Sequence, residues 1–151
     1  MRILKTLLVT IMLTAISKSA LSAQIYDDDL SPEIIPNLKV VIWDGADNGC
    51  WTNLGEAKNY AADKLTELGY SIDDEALNFF TIVVHSTRVN NGGCYGKVDI
   101  ELASYTLHED LAGLFVHAIE GGIFTGHKNA NLMVLDYIKK LTDAMGEKQR
   151  N

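Results

Sequence analysis

One stretch of the sequence, residues 79 to 102, predicts a β-hairpin and constrains the fold more than any other. Phe79 to Val89 is rich in β-branched and aromatic residues, and the turn-forming run Asn90 to Gly93 follows it. Val98 to Leu102 then alternates strictly between apolar and charged side chains. In a strand, this alternation places the apolar side chains in the core and the charged ones in water. We therefore expect a sheet with one solvated face.

The length of the turn sets the register of this hairpin. A three-residue turn pairs Val84 with Val98 and Ile82 with Ile100, so the apolar side chains lie inside. A two-residue turn would instead oppose His85 to Val98. We expect the first register, which leaves His85 on the solvated face.

Two segments have the apolar spacing of amphipathic helices. Between Asn53 and Gly69, apolar residues recur every three or four positions. Asn53 suits the N-cap, and Gly69 suits the C-terminal stop. The same spacing recurs from Asn129 to Gly146, which we expect to end the second helix. Each helix is expected to pack one face against the sheet.

Two further apolar runs predict strands. Lys39 to Trp43 is short and nearly continuous, as in a strand buried on both faces. Leu114 to Ile119 is the second run, and Ile123-Phe124 extends it past a bulge at Gly121-Gly122. The order β-α-β-β-β-α predicts a two-layer α+β fold, a four-stranded mixed sheet with two helices on one face.

This order of elements, across residues 38 to 146, resembles the anticodon-binding-domain-like modules of exported bacterial assembly factors. The N-terminal domain of TolB and the lipopolysaccharide-assembly lipoprotein LptE are examples. The resemblance implies a shared fold and no particular activity, because many functions share such an order of elements.

The first 23 residues have the pattern of a secretory signal peptide. Arg2 and Lys5 form a positive n-region, Leu7 to Ile16 is apolar, and Ala23 is a small residue at the cleavage position. Lys18 interrupts the apolar stretch before the roughly 20 residues that a membrane span needs. We expect cleavage near Ala23, a periplasmic or secreted location, and no membrane insertion.

The remaining chain is expected to form one domain with two short extensions. Residues 24 to 37 contain three successive aspartates and both prolines, which predicts an extended N-terminal segment. Residues 38 to 146 form a single α+β domain, and residues 147 to 151 form a C-terminal tail.

The charge of the chain restricts its partners. The full chain has a formal net charge of −7, and removing residues 1 to 23 takes away three basic and no acidic side chains. The exported chain therefore has a charge of −10. So acidic a protein lacks the basic surface that nucleic acids require.

The two cysteines are the next constraint. Cys50 precedes the first predicted helix and Cys94 follows the hairpin turn, so both fall at the same end of the predicted sheet. Two cysteines in an exported protein usually pair. We expect a Cys50–Cys94 disulfide.

Cys50 also permits a catalytic interpretation. A cysteine at a helix N-terminus has a favoured thiolate, and Cys50-Trp51 is similar to the Cys-Trp step of papain-like and transglutaminase-like enzymes. Such an enzyme needs an imidazole base, for which His117 is the first candidate and His85 the second. Asp99 or Glu101 would orient the imidazole.

The histidines do not predict a metal site. Their spacings include neither H-x-H nor H-x-x-x-H, and the chain has no C-x-x-C pair. We expect no metal and no cofactor, with His108 and His127 in loops. The alternation of side chains along its strand does not decide where the His117 side chain lies. It is either on a half-exposed binding surface or in a catalytic pair.

Two functions from different classes follow. The first is a non-enzymatic exported binding or assembly-accessory protein, whose partner is another envelope or secreted protein. It would bind through the polar sheet face or the disulfide end. The second is a small cysteine hydrolase or amidase, with Cys50 as nucleophile and His117 as base.

Overall fold

A computed structural model describes residues 23–90, 92–108 and 111–150, so the predicted signal segment lies outside the described residues except for Ala23. The described chain forms two helices and a six-stranded mixed sheet. In chain order the elements are β1 (Gln24–Ile25), β2 (Asn37–Ala46), α1 (Leu54–Glu67), β3 (Ser71–Ile72), β4 (Asn78–Arg88), β5 (Cys94–His108), β6 (Leu111–His127) and α2 (Asn131–Gln149).

The strands lie in the order β1-β6-β5-β4-β2-β3. β2 is parallel to β3 and β4, and the other pairs are antiparallel. The predicted α+β class with two helices is confirmed, but the four-stranded sheet and its order of elements are wrong. The two additional strands, β1 and β3, have two residues each, too few for any apolar periodicity to reveal them.

The predicted hairpin register is confirmed. Val84 lies opposite Val98, and Ile82 lies opposite Ile100. All four side chains are fully buried beneath the helices. His85 is exposed on the other face, as expected.

β5 and β6 are longer than the sequence predicted, with 15 and 17 residues. His108 and His127, expected in loops, are the last residues of these two strands. The bulge expected at Gly121-Gly122 is not found there, and the ladder with β5 instead shifts register at two other places, between Phe124 and His127 and at His117. Leu102 pairs with Ala118 and Ala103 with Val116, so His117 is the extra residue.

Helix α1 ends as the sequence predicted. Gly69 has a φ of 94°, which glycine adopts without strain. Its N–H donates to the Thr66 carbonyl, and the Tyr70 N–H donates to the Leu65 carbonyl. These two bonds form a Schellman motif. At the other end, the Asn53 side chain makes no capping bond to the backbone.

Helix α2 continues to Gln149, so Gly146 does not end it. Gly146 is buried, and a Cβ atom at this position would lie 2.9 Å from Leu68 Cδ2. Glycine therefore suits this position in the helix, because a side chain here would displace the Leu68 side chain, which follows α1. Neither described helix is long and apolar enough to span a membrane.

The segment between β1 and β2 packs against the core. Leu30 and Ile35 are 1% and 3% exposed. The Tyr70 hydroxyl donates to the Leu30 carbonyl, and the Gln149 amide donates to the same oxygen. Two apolar side chains are thus enough to fix a segment whose composition predicted only an extended chain.

The Cys50–Cys94 disulfide is present, with the two Cα atoms 5.7 Å apart and both side chains fully buried. It joins the turn before α1 to the first residue of β5. The Ala130 N–H also donates to the Cys50 carbonyl at 2.7 Å, which ties the start of α2 to the same end of the sheet.

We predict that replacing both Cys50 and Cys94 with Ser lowers the free energy of unfolding by about 4 kcal/mol, because the disulfide closes a loop with a sequence separation of 44 residues. Urea unfolding of the oxidised protein and of the double variant measures this difference. Reductant should lower the midpoint of the wild-type protein and leave that of the variant unchanged. Equal midpoints without reductant would contradict the prediction.

Candidate functional site

The structure does not bring Cys50 and His117 together, as the alternative catalytic interpretation would require. Cys50 is bonded to Cys94, and no described cysteine is free. The His117 ring contacts Ser104, ten positions along β5 from Cys94, which corresponds to roughly 33 Å of strand. The two groups therefore lie at opposite ends of the sheet.

His117 is instead part of a polar cluster formed with Asp27, Asn78 and Ser104, which we call the His117 cluster. Its side chain is largely buried. Nδ1 lies 2.9 Å from Asp27 Oδ2, and Nε2 lies 2.7 Å from Ser104 Oγ. The bulge at His117 turns the ring toward both groups.

These distances match a Ser-His-Asp relay, but the direction of the hydrogen bonds does not. The Asn78 amide donates to the Asn37 carbonyl at 3.1 Å, so its Oδ1 faces Ser104. Ser104 donates its only proton to that oxygen, at 2.7 Å. Ser104 Oγ must then accept from His117 Nε2, whereas a catalytic serine donates to the histidine.

Both ring nitrogens of His117 thus have a hydrogen-bond partner. Nε2 faces Ser104 and Nδ1 faces the Asp27 carboxylate. The Tyr26 N–H also donates to the His117 carbonyl at 2.8 Å. The His117 cluster therefore holds the N-terminal segment on β6 and does not activate a nucleophile.

The pKa of the Asp27 carboxyl is lower than its ordinary value of 3.8. The main cause is the hydrogen bond from the Asp29 backbone N–H, and the second is the bond with His117. Asp27 was unremarkable in the sequence, as one of three aspartates in a segment expected to be solvated. Its role depends on β1, which places it beside the bulge.

A groove lies on the sheet face opposite the helices and has a volume of about 350 Å³. Five of its seven lining residues are apolar. Trp43 is 63% exposed and Leu114 is 56% exposed. The lining residues are Val41, Trp43, Phe79, Thr81, Val83, Glu101 and Leu114.

The groove corrects the prediction that this sheet face is polar. The prediction came from β5, where Lys97, Asp99 and Glu101 do lie on this face. The neighbouring β4 places Phe79, Thr81 and Val83 on it. The sequence contained this signal, because Phe79 to Val84 is apolar at nearly every position and not only at alternate ones.

Glu101 gives the groove a negative charge in an apolar setting. Burial raises the pKa of its carboxyl, and the nearby charge of Asp99 raises it further. Lys97 contacts Asp99 at 2.8 Å. None of the ion pairs among the described residues includes Glu101. A basic group on a bound partner would therefore stabilise its charged form.

The remaining predicted site residues form no metal centre. Within residues 23–90, 92–108 and 111–150, no three His, Cys, Asp or Glu side chains cluster as metal ligands would. His85 lies opposite Lys97 on the solvated face, and His127 packs edge-on against the Phe124 ring.

The chain matches no known protein family and no curated protein. Seven chains of solved structures match it. Two are PelC dodecamers from Paraburkholderia phytofirmans. One covers 83% of this chain and 98% of its own, at 14% identity and a TM-score of 0.49. The other covers 84% and 93%, at 16% identity and a TM-score of 0.41.

Similarity at this level transfers no function to the chain. The resemblance to the TolB and LptE domains therefore stays a prediction.

We predict that Asp27→Asn destabilises the protein at neutral pH and that the difference from wild type disappears in acid. Because the folded-state pKa of Asp27 is lowered, its contribution is present above 3.8 and is lost as pH falls through the folded value. Urea midpoints of both proteins across this pH range measure the effect. The exposed Asp63→Asn variant is the control, and an equal difference at every pH would refute the assignment.

Proposed function

We propose that this protein is an exported, disulfide-stapled binding or assembly-accessory protein, and that the groove binds another envelope or secreted protein. The observation that carries the proposal is an apolar groove with Trp43 more than half exposed at its wall. Exposed aromatic side chains in such grooves are typical anchors of protein interfaces.

The charges of the groove indicate the chemistry of the partner. Glu101 lies among Val41, Phe79 and Val83, so a partner segment should combine apolar side chains with a lysine or arginine that reaches Glu101. The acidic exported chain would also attract a basic surface. Binding should therefore weaken as salt concentration rises.

Two observations favour this function over a cysteine hydrolase. The disulfide occupies the proposed nucleophile, and both ring nitrogens of His117 are hydrogen-bonded to Asp27 and Ser104, away from Cys50. Alkylation of the exported protein followed by mass measurement separates the two functions. A binding protein remains unmodified until it is reduced, whereas a hydrolase would react at Cys50 directly.

We predict that a random-peptide phage library selected on this protein enriches apolar sequences with one basic residue. Trp43→Ala should weaken binding of the best synthetic peptide about 30-fold, as expected for the loss of a roughly 2 kcal/mol anchor. Glu101→Gln should weaken it about tenfold and flatten its salt dependence. Fluorescence anisotropy measures both effects.

Tyr95→Ala is the matched control, because Tyr95 is an exposed aromatic residue at the disulfide end of the sheet. It should leave the affinity unchanged. Selection of acidic peptides, or equal losses in all three variants, would contradict binding in the groove.

A further inference from the structure

Strand pairing orders the side chains of the groove in rows that run across the sheet. Each row takes one residue from β2, one from β4 and one from β5, and successive rows lie about 6.6 Å apart along the strands. The rows are Trp43, Val83 and Asp99, then Val41, Thr81 and Glu101, then Lys39, Phe79 and Ala103. Tyr105 and Leu114 form the next row, on β5 and β6. About 20 Å therefore separates the row of Trp43 from the row of Leu114.

A partner segment in the groove finds no backbone groups to pair with. In a sheet, the N–H and C=O groups point toward the neighbouring strands, and the two faces present side chains. A segment that lies on a face therefore has to satisfy its own backbone hydrogen bonds wherever the contact excludes water. An α-helix satisfies them internally, whereas an extended segment does not.

The groove also has the width of one helix. Trp43 on β2 and Glu101 on β5 are two strand spacings apart, which is about 10 Å. An α-helix with its side chains is about 10–12 Å in diameter. The other face of the same sheet already packs against α1 and α2. A helix in the groove would add a third layer of the same kind.

Two charges along the groove indicate the composition and the direction of such a helix. None of the ion pairs among the described residues includes Glu101 or Lys39. Glu101 lies one row from Trp43, and Lys39 lies one row further toward Leu114. A basic side chain on the helix would pair with Glu101. Because the C-terminal end of a helix is partially negative, that end should lie on the Lys39 side.

We propose, resting on the proposed function, that the partner binds the groove as an amphipathic helix with its N-terminal end at Trp43. One row spacing corresponds to about four residues of helix, at a rise of about 1.5 Å per residue. An apolar residue against Trp43 is therefore followed about four positions later by a lysine or arginine against Glu101. An apolar residue about eight positions after the first contacts Phe79, and about 13 residues reach Leu114.

The test uses a peptide of about 15 residues, selected from the random library on this protein, which is long enough for the whole groove. One residue in its middle, found by alanine substitution to be insensitive and therefore facing water, is replaced in turn by proline and by α-aminoisobutyric acid. Proline breaks a helix, whereas the two methyl groups of α-aminoisobutyric acid restrict the backbone to helical angles.

We expect the peptide with α-aminoisobutyric acid to bind about 100-fold more tightly than the peptide with proline. Fluorescence anisotropy measures both affinities. A ratio above about tenfold supports a bound helix, and a smaller or inverted ratio would overturn it.

The position of the basic residue gives a second readout. Glu101→Gln should weaken binding about tenfold when the peptide has its basic residue three or four positions after the apolar anchor. It should have no effect on a peptide whose basic residue is moved to two positions after the anchor, because that side chain lies on another face of the helix. Equal losses for both peptides would contradict the helix. Tyr95→Ala is again the control and should leave both affinities unchanged.

Failure of the groove and failure of the helix are distinguishable. If no peptide is enriched, or if Trp43→Ala and Glu101→Gln leave binding unchanged, the proposed function and the helix are both overturned. If both variants weaken binding but the proline peptide binds as well as its counterpart, the partner is extended. In that case the groove stands and only the helix is wrong.

Discussion

The ladder between β4 and β5 sets the positions of the other elements. Val84 lies opposite Val98, and this register determines which face of the sheet each residue of the two strands occupies. One face receives the helices, and the other forms the groove. The last pair of this ladder joins Arg88 to Cys94, which places the disulfide at the end of the sheet where both helices begin.

The bulge at His117 is the second determinant. Without the extra residue, β6 would continue its alternation, and the ring would not meet Asp27 and Ser104 together. Because of the bulge, the His117 ring contacts the Asp27 carboxylate, and this contact attaches the N-terminal segment to β6. The same segment supplies β1, which pairs with β6 at Ala118 and Ile119.

Local patterns predicted the hairpin and the disulfide, because each depends on residues close to a turn or a helix start. The alternation of apolar and charged residues from Val98 to Leu102 can be read directly from the sequence. Cys50 precedes the first predicted helix, and Cys94 follows the predicted hairpin turn. The His117 cluster could not be found in this way, because Asp27 and Ser104 meet His117 only through strand pairing. Gly146 was wrongly predicted to end the second helix, because glycine is favoured both at helix ends and at a close contact such as the one with Leu68.

The parallel pairing of β2 with β4 also has a kinetic consequence. β4, β5 and β6 follow one another in sequence, so their ladders close over short loops, whereas β2 can join β4 only across the whole of α1. Loop-closure entropy slows such non-local pairing. We therefore expect β4, β5 and β6 to pair before β2 joins them. The disulfide connects the turn after β2 to β5, so it stabilises the pairing of β2 with β4 once that pairing has formed.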